Sequence, residues 1–139
     1  MEHQQVGCAI LAERHTKLSE GVRGLLETTF KTVYIVADAA SLNEGVQRLS
    51  PTVIVLDISL LGSNFSSLLK EVLQSSPESR VIVLSVHDQA SVARIALASG
   101  AKGVVLKRSI GSDLLTAVSA VLRGDEFVSP GFGLSTCIH

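Results

Sequence analysis

The sequence predicts an α/β fold, a (βα)5 doubly wound sandwich on a five-stranded parallel sheet. Three observations predict it: five short apolar runs rich in β-branched residues at regular intervals, segments of helical spacing between them, and short connections throughout. Runs that are apolar on both alternating faces suit strands covered on both sides of a sheet. Strict strand–helix alternation then implies right-handed crossovers and three layers.

The strands are expected at residues 6–12, 32–37, 53–57, 80–86 and 103–106. In the first intervening segment Leu18, Val22, Leu25 and Leu26 make an apolar stripe, while Lys17, Glu20, Arg23 and Glu27 face water. Leu42, Val46 and Leu49 make the second stripe, and Leu68, Leu69, Val72 and Leu73 the third. Val92, Ile95, Ala96 and Ala98 are expected to make the fourth, and Leu114, Leu115, Val118, Ala120 and Val121 the fifth. Gly100 stands where a left-handed helix cap is wanted. Ser109 is expected to cap the fifth helix, with Asp113 favourable in its first turn. Pro51 and Pro77 stop helices before the strands that follow. Residues 1–123 thus form one domain, and from Gly124 to His139 periodicity fades into an exit segment.

Composition narrows the function. The 139 residues are 46% hydrophobic and 18% charged, which suits one packed core. Twelve Lys and Arg oppose thirteen Asp and Glu for a net charge of −1, with no basic stripe. Binding to nucleic acid is driven by neutralising phosphates, so direct binding by this chain is not expected. No apolar run approaches the ~20 residues a membrane span needs, and the start MEHQQ lacks the features of a signal peptide. Cys8 and Cys137 read as two reduced thiols in a cytoplasmic protein.

In open α/β sheets, chemistry collects beyond the carboxyl ends of the strands. There the sequence places Glu13, Arg14 and His15 after the first strand, Asp57 at the end of the third, Ser85 at the end of the fourth and Lys107 after the fifth. Asp57 closes the apolar run Val53-Ile54-Val55-Leu56, where an unpaired charge is costly. Taken singly, Asp57 serves as a helix N-cap or a partner for a buried cation, Ser85 as a satisfied core hydroxyl and Lys107 as a solvated lysine. Their coincidence at one edge points to a site.

The spacing of Asp57, Ser85 and Lys107, with the phrases SEGVRGLLE, LDISLLGSN and SGAKGVVLKRS, resembles the receiver domain of bacterial response regulators. The resemblance covers about residues 6–123 and implies the flavodoxin-like fold. It is similar to the branch with a C-terminal LuxR/NarL-type helix-turn-helix output domain, and Phe127-Val128-Ser129-Pro130 resembles the linker to that domain. It implies that Asp57 accepts a phosphoryl group from a sensor histidine kinase, in a two-component phosphorelay that regulates transcription. Lys107 would pair with a phosphoryl oxygen and Ser85 would donate its hydroxyl to another. Mg²⁺ would sit on Glu13, Asp57 and the backbone carbonyl of Ser59. Ser59 and His87 resemble the pair that governs hydrolysis of the phosphoryl group, although His87 equally suits a surface residue at a helix start. The chain would be a signalling module and not an enzyme, would homodimerise, and would reach DNA only through an output domain outside this chain.

Four positions depart from the family pattern. Arg14 stands where the second acid, a direct metal ligand, is usual. A guanidinium offers Mg²⁺ no oxygen, and at an effective dielectric near 20 each unit charge about 4 Å away is worth roughly 4 kcal/mol. Three arrangements remain open: Arg14 points inward and impairs the metal site, swings into solvent and leaves Glu13 to support a weakened one, or bridges Asp57 in place of the metal. Leu61 replaces a usual proline, Val104 an aromatic that rotates inward on activation, and Arg108 a proline. The alternative function is a degenerate receiver acting as a phosphorylation-independent interaction or dimerisation module. An aspartyl phosphohydrolase is disfavoured because Ser59 stands where its second acid belongs, and a nucleotide-binding fold because no Gly-rich loop follows the first strand.

Overall fold

The computed structural model describes residues 6–134. Its strands are β1 Val6–Ala12, β2 Phe30–Val36, β3 Val53–Asp57, β4 Arg80–Ser85, β5 Gly103–Leu106 and β6 Phe127–Val128, and its helices are α1 Thr16–Leu26, α2 Ala39–Leu49, α3 Phe65–Ser75, α4 Ala90–Ala98 and α5 Ile110–Leu122. All strands run parallel in the order β2-β1-β3-β4-β5-β6. The chain winds outward in both directions from β1 and β3, so the order reverses between those two strands.

Alternation within each strand sorts the core into two layers. Ile54 and Leu56 of β3 face Leu42, Val46, Leu69, Val72, Ala93 and Ala96 on α2, α3 and α4. Val53 and Val55 face Val22 and Leu26 of α1 and Leu114, Val118 and Val121 of α5. Every residue of β3 and β5 is buried, as expected of strands covered on both faces. Gly100, with φ +112°, caps α4 in the left-handed region.

Several expectations need correction. β2 starts earlier than the apolar run suggests, because Phe30 pairs with Val6 and is buried. In α4 the buried positions are Ala93 and Ala96, flanked by Val92 and Leu97, whereas Ile95 and Ala98 are exposed. The helix is thus rotated from the expected stripe, with the small Ala93 and Ala96 as its buried face. Ser109 does precede α5, but its side chain makes no cap hydrogen bond.

The largest departure is the sixth strand. Phe127 donates to the Lys102 carbonyl and Ser129 to the Val104 carbonyl, so the segment after Gly124 zips onto the free edge of β5. Phe132 then joins the same core layer as Ala93 and Ala96 of α4. Two residues are too few for any periodicity to register. Cys8 is a half-buried free thiol, pushed above its ordinary 9.0 by burial, while Cys137 and the MEHQQ start lie outside the described residues. No helix among the described residues is long and apolar enough to cross a membrane.

Candidate functional site

The carboxyl ends of β1, β3, β4 and β5 meet at one edge of the sheet, and each delivers one expected residue. Glu13 extends β1 by one hydrogen bond, its N–H donating to Val36 at 3.0 Å. That register turns its carboxylate inward, where the side chain is 0% exposed. Asp57 ends β3, 3% exposed. Its Oδ1 accepts the Ser59 N–H at 3.0 Å and its Oδ2 the Ser59 hydroxyl at 2.9 Å. The N-cap alternative considered for Asp57 is therefore realised, at the start of a single 3-10 turn.

Lys107 leaves β5 and spans the end of β4 to reach both acids. Its Nζ lies 3.0 Å from Glu13 Oε1 and 3.1 Å from Asp57 Oδ2, and it donates to Glu13 Oε2 at 3.3 Å. The 3.0 Å approach to Oε1 is an ion pair without hydrogen-bond geometry, since that buried oxygen has no hydrogen-bond partner. The side chain of Lys107 is only 12% exposed, so its charge is held by the two carboxylates. The solvated-lysine alternative does not hold.

Ser85 is fully buried, but its hydroxyl is turned toward the following loop. It donates to the His87 carbonyl at 2.9 Å and accepts the His87 N–H at 3.0 Å. His87 itself is exposed, as its surface alternative has it. Ser85 at the end of β4 and Lys107 just beyond β5 thus have different commitments, one to the loop and one to the acids.

Arg14 is exposed, and its Nη2 donates to the Ser59 carbonyl at 3.4 Å. The bidentate bridge from Arg14 to Asp57 is absent among the described residues; Lys107 instead reaches one Asp57 oxygen and joins it to Glu13. Receiver domains generally bind Mg²⁺ at their phosphorylation site, but the groups here do not fit it. Of the three oxygens expected to ligate, those of Glu13 and Asp57 share one ammonium and that of Ser59 takes a guanidinium N–H. Among the described residues no group of three His, Cys, Asp or Glu side chains is placed to hold a metal.

Sequence reasoning missed the support behind Lys107. The Ser129 hydroxyl accepts the Leu106 N–H at 3.1 Å and donates to Asp113 Oδ2 at 2.7 Å. The segment after Gly124 thereby fixes the backbone residue preceding Lys107. The only available signal was the phrase FVSP, which suggested a linker. Val104 is fully buried and Leu61 nearly so, so the two apolar departures serve as core.

The family model for the response regulator receiver domain matches residues 9–119. The transcriptional regulatory protein DegU of Brevibacillus brevis is 31% identical over 123 residues, spanning 87% of this chain and 52% of the relative. The nitrate/nitrite response regulator NarL of Escherichia coli K12 is 28% identical over 132 residues, spanning 93% and 61%. This chain therefore spans between half and two-thirds of the length of these relatives. Among solved structures, a LuxR-family two-component response regulator from Aurantimonas sp. SI85-9A1 superposes with a TM-score of 0.81 at 24% identity, over 94% of each chain. The isolated receiver domain of RcsB from Salmonella enterica serovar Typhimurium gives 0.77 at 25% identity, over 91% of this chain and 95% of that one.

Proposed function

This chain belongs to the response regulator receiver family, and from that premise we propose that Asp57 accepts a phosphoryl group from a sensor histidine kinase and that the domain switches in response. Domains of this family are typically signalling modules and not enzymes. The observation that carries the proposal is the Asp57–Lys107 ion pair at 3.1 Å on the switch-point edge, beside the strand that carries Ser85. A carboxylate is a competent nucleophile, and phosphoryl transfer asks the protein for positioning and charge neutralisation.

The phosphoryl group brings about −1.5 to −2 charges at neutral pH. That charge draws Ser85 away from the His87 backbone and re-partners Lys107, which moves the loop before α4 and the end of β5. Residues 1–123 are the body of the receiver, and the segment from Gly124, after adding β6 to its sheet, leads toward a helix-turn-helix output domain, through which the protein regulates transcription as a cytoplasmic homodimer. Incubation with acetyl phosphate and Mg²⁺, read by intact mass, adds one phosphoryl group to the wild type and none to Asp57→Asn. Absence of the adduct at saturating donor refutes the proposal.

A second reading rests on a specific observation. Both Asp57 oxygens are already hydrogen-bonded or ion-paired, and Arg14 occupies the Ser59 carbonyl, an arrangement that suits a domain held in one state for docking or dimerisation. It predicts an oligomeric state that beryllofluoride does not change.

A further inference from the structure

The charges at this edge balance without a metal. Glu13 and Asp57 contribute two negative charges, Lys107 and Arg14 two positive ones, and three of the four side chains are joined by ion pairs of 3.0 and 3.1 Å. A divalent cation entering here meets a site that is already neutral and a carbonyl oxygen already engaged by a guanidinium. Arg14 differs from Lys107 in freedom. Lys107 is nearly enclosed, whereas Arg14 is exposed and its only hydrogen bond among the described residues is the 3.4 Å contact to Ser59, two residues from Asp57. A guanidinium presents a planar fork that matches two phosphoryl oxygens at once.

We propose that Arg14 is a built-in counterion for the phosphoryl group, so that Asp57 is loaded without a divalent cation. The inference rests on the phosphoacceptor reading of Asp57 and goes beyond it. With acetyl phosphate as donor, a carboxylate oxygen of Asp57 uses its lone pair to form the new O–P bond. The bond from phosphorus to the acetyl oxygen breaks, and its electron pair leaves with acetate. No proton or further reactant is consumed. The single charge of Asp57 is replaced by a phosphoryl dianion, which Lys107 holds from within and Arg14 covers from solvent once it lets go of the Ser59 carbonyl.

Loading by acetyl phosphate is followed by intact mass in EDTA and in Mg²⁺, for wild type, Arg14→Ala and Arg14→Asp, each checked for folding by circular dichroism. Binding of Mn²⁺ alone is measured in parallel by electron paramagnetic resonance. The wild type loads equally in EDTA and Mg²⁺, Arg14→Ala loads more slowly in both, and Arg14→Asp loads only with Mg²⁺. Arg14→Asp also binds Mn²⁺ at least about tenfold more tightly than the wild type, the effect of charge reversal discounted for an exposed position. Wild-type loading that requires Mg²⁺ overturns this inference and leaves the phosphoacceptor reading intact. Equal loading of Arg14→Ala and wild type in EDTA overturns it too, as does a Mn²⁺ site no weaker in wild type than in Arg14→Asp. No loading of the wild type under either condition refutes both.

Discussion

Replacing Lys107 by Met removes the one cation that Glu13 and Asp57 share. Both carboxylates contact the same nitrogen, at 3.0 and 3.1 Å, so their contacting oxygens lie no more than about 6 Å apart. At an effective dielectric near 20, two negative charges at that separation repel by at least roughly 3 kcal/mol. The side chains are 0% and 4% exposed, so solvent does little to relieve the repulsion. Removing one partner of a buried pair typically costs about 3–5 kcal/mol. The expectation is therefore a loss of about 3 kcal/mol or more at pH 7, a large part of the stability of a domain this size. Urea unfolding followed by far-ultraviolet circular dichroism measures it, since the chain has no tryptophan. The double variant Glu13→Gln/Lys107→Met removes the repulsion and recovers part of the loss, because Asp57 still lacks its cation. A Lys107→Met midpoint close to wild type, or a double variant no better than the single one, would show that the three groups do not form the compact charged unit described here.

Two further outcomes follow from contacts away from the acids. Ser129→Ala leaves the buried Leu106 N–H without its acceptor and costs about 1–3 kcal/mol. Backbone amide exchange at Leu106 and Lys107 accelerates relative to that of β3; unchanged protection there would detach the tail from the site. Asp38 caps α2 by accepting the Ser41 N–H at 2.7 Å, and that bond holds its carboxyl below the ordinary value of 3.8. A folded-state pKa lowered in this way contributes stability above the unfolded value and loses it as pH falls through the folded one. Asp38→Ala therefore unfolds at lower urea than wild type at pH 7, and the gap closes on acidification below the carboxylate range. A gap independent of pH would contradict the charge-assisted cap.

β3, β4 and β5 were legible because parallel strands buried on both faces need apolar side chains on both, and few other local structures demand runs such as VIVLD and VIVLS. Glu13, Asp57, Ser85 and Lys107 were legible for a related reason: polar groups closing such runs have nowhere to lie but the carboxyl edge of the sheet. The buried side of α4 was not legible, because Val92, Ala93, Ile95, Ala96 and Leu97 are nearly continuous and support more than one stripe. Packing against the sheet chose the stripe centred on Ala93 and Ala96. Nor was β6 legible, since its two residues are strand only because β5 offers them a free edge.

The sequence by itself determined the layers, the order of elements and which chemical groups reach one edge, because these follow from periodicity and from the cost of burying charge. Only the tertiary structure decided how those groups partner. Glu13, Asp57 and Lys107 lie just beyond β1, at the end of β3 and just beyond β5, far apart in the chain, and one ammonium between two carboxylates is a relation that no local pattern encodes. The direction of Arg14 is likewise a tertiary matter, since its guanidinium meets the Ser59 carbonyl, 45 residues away in the chain.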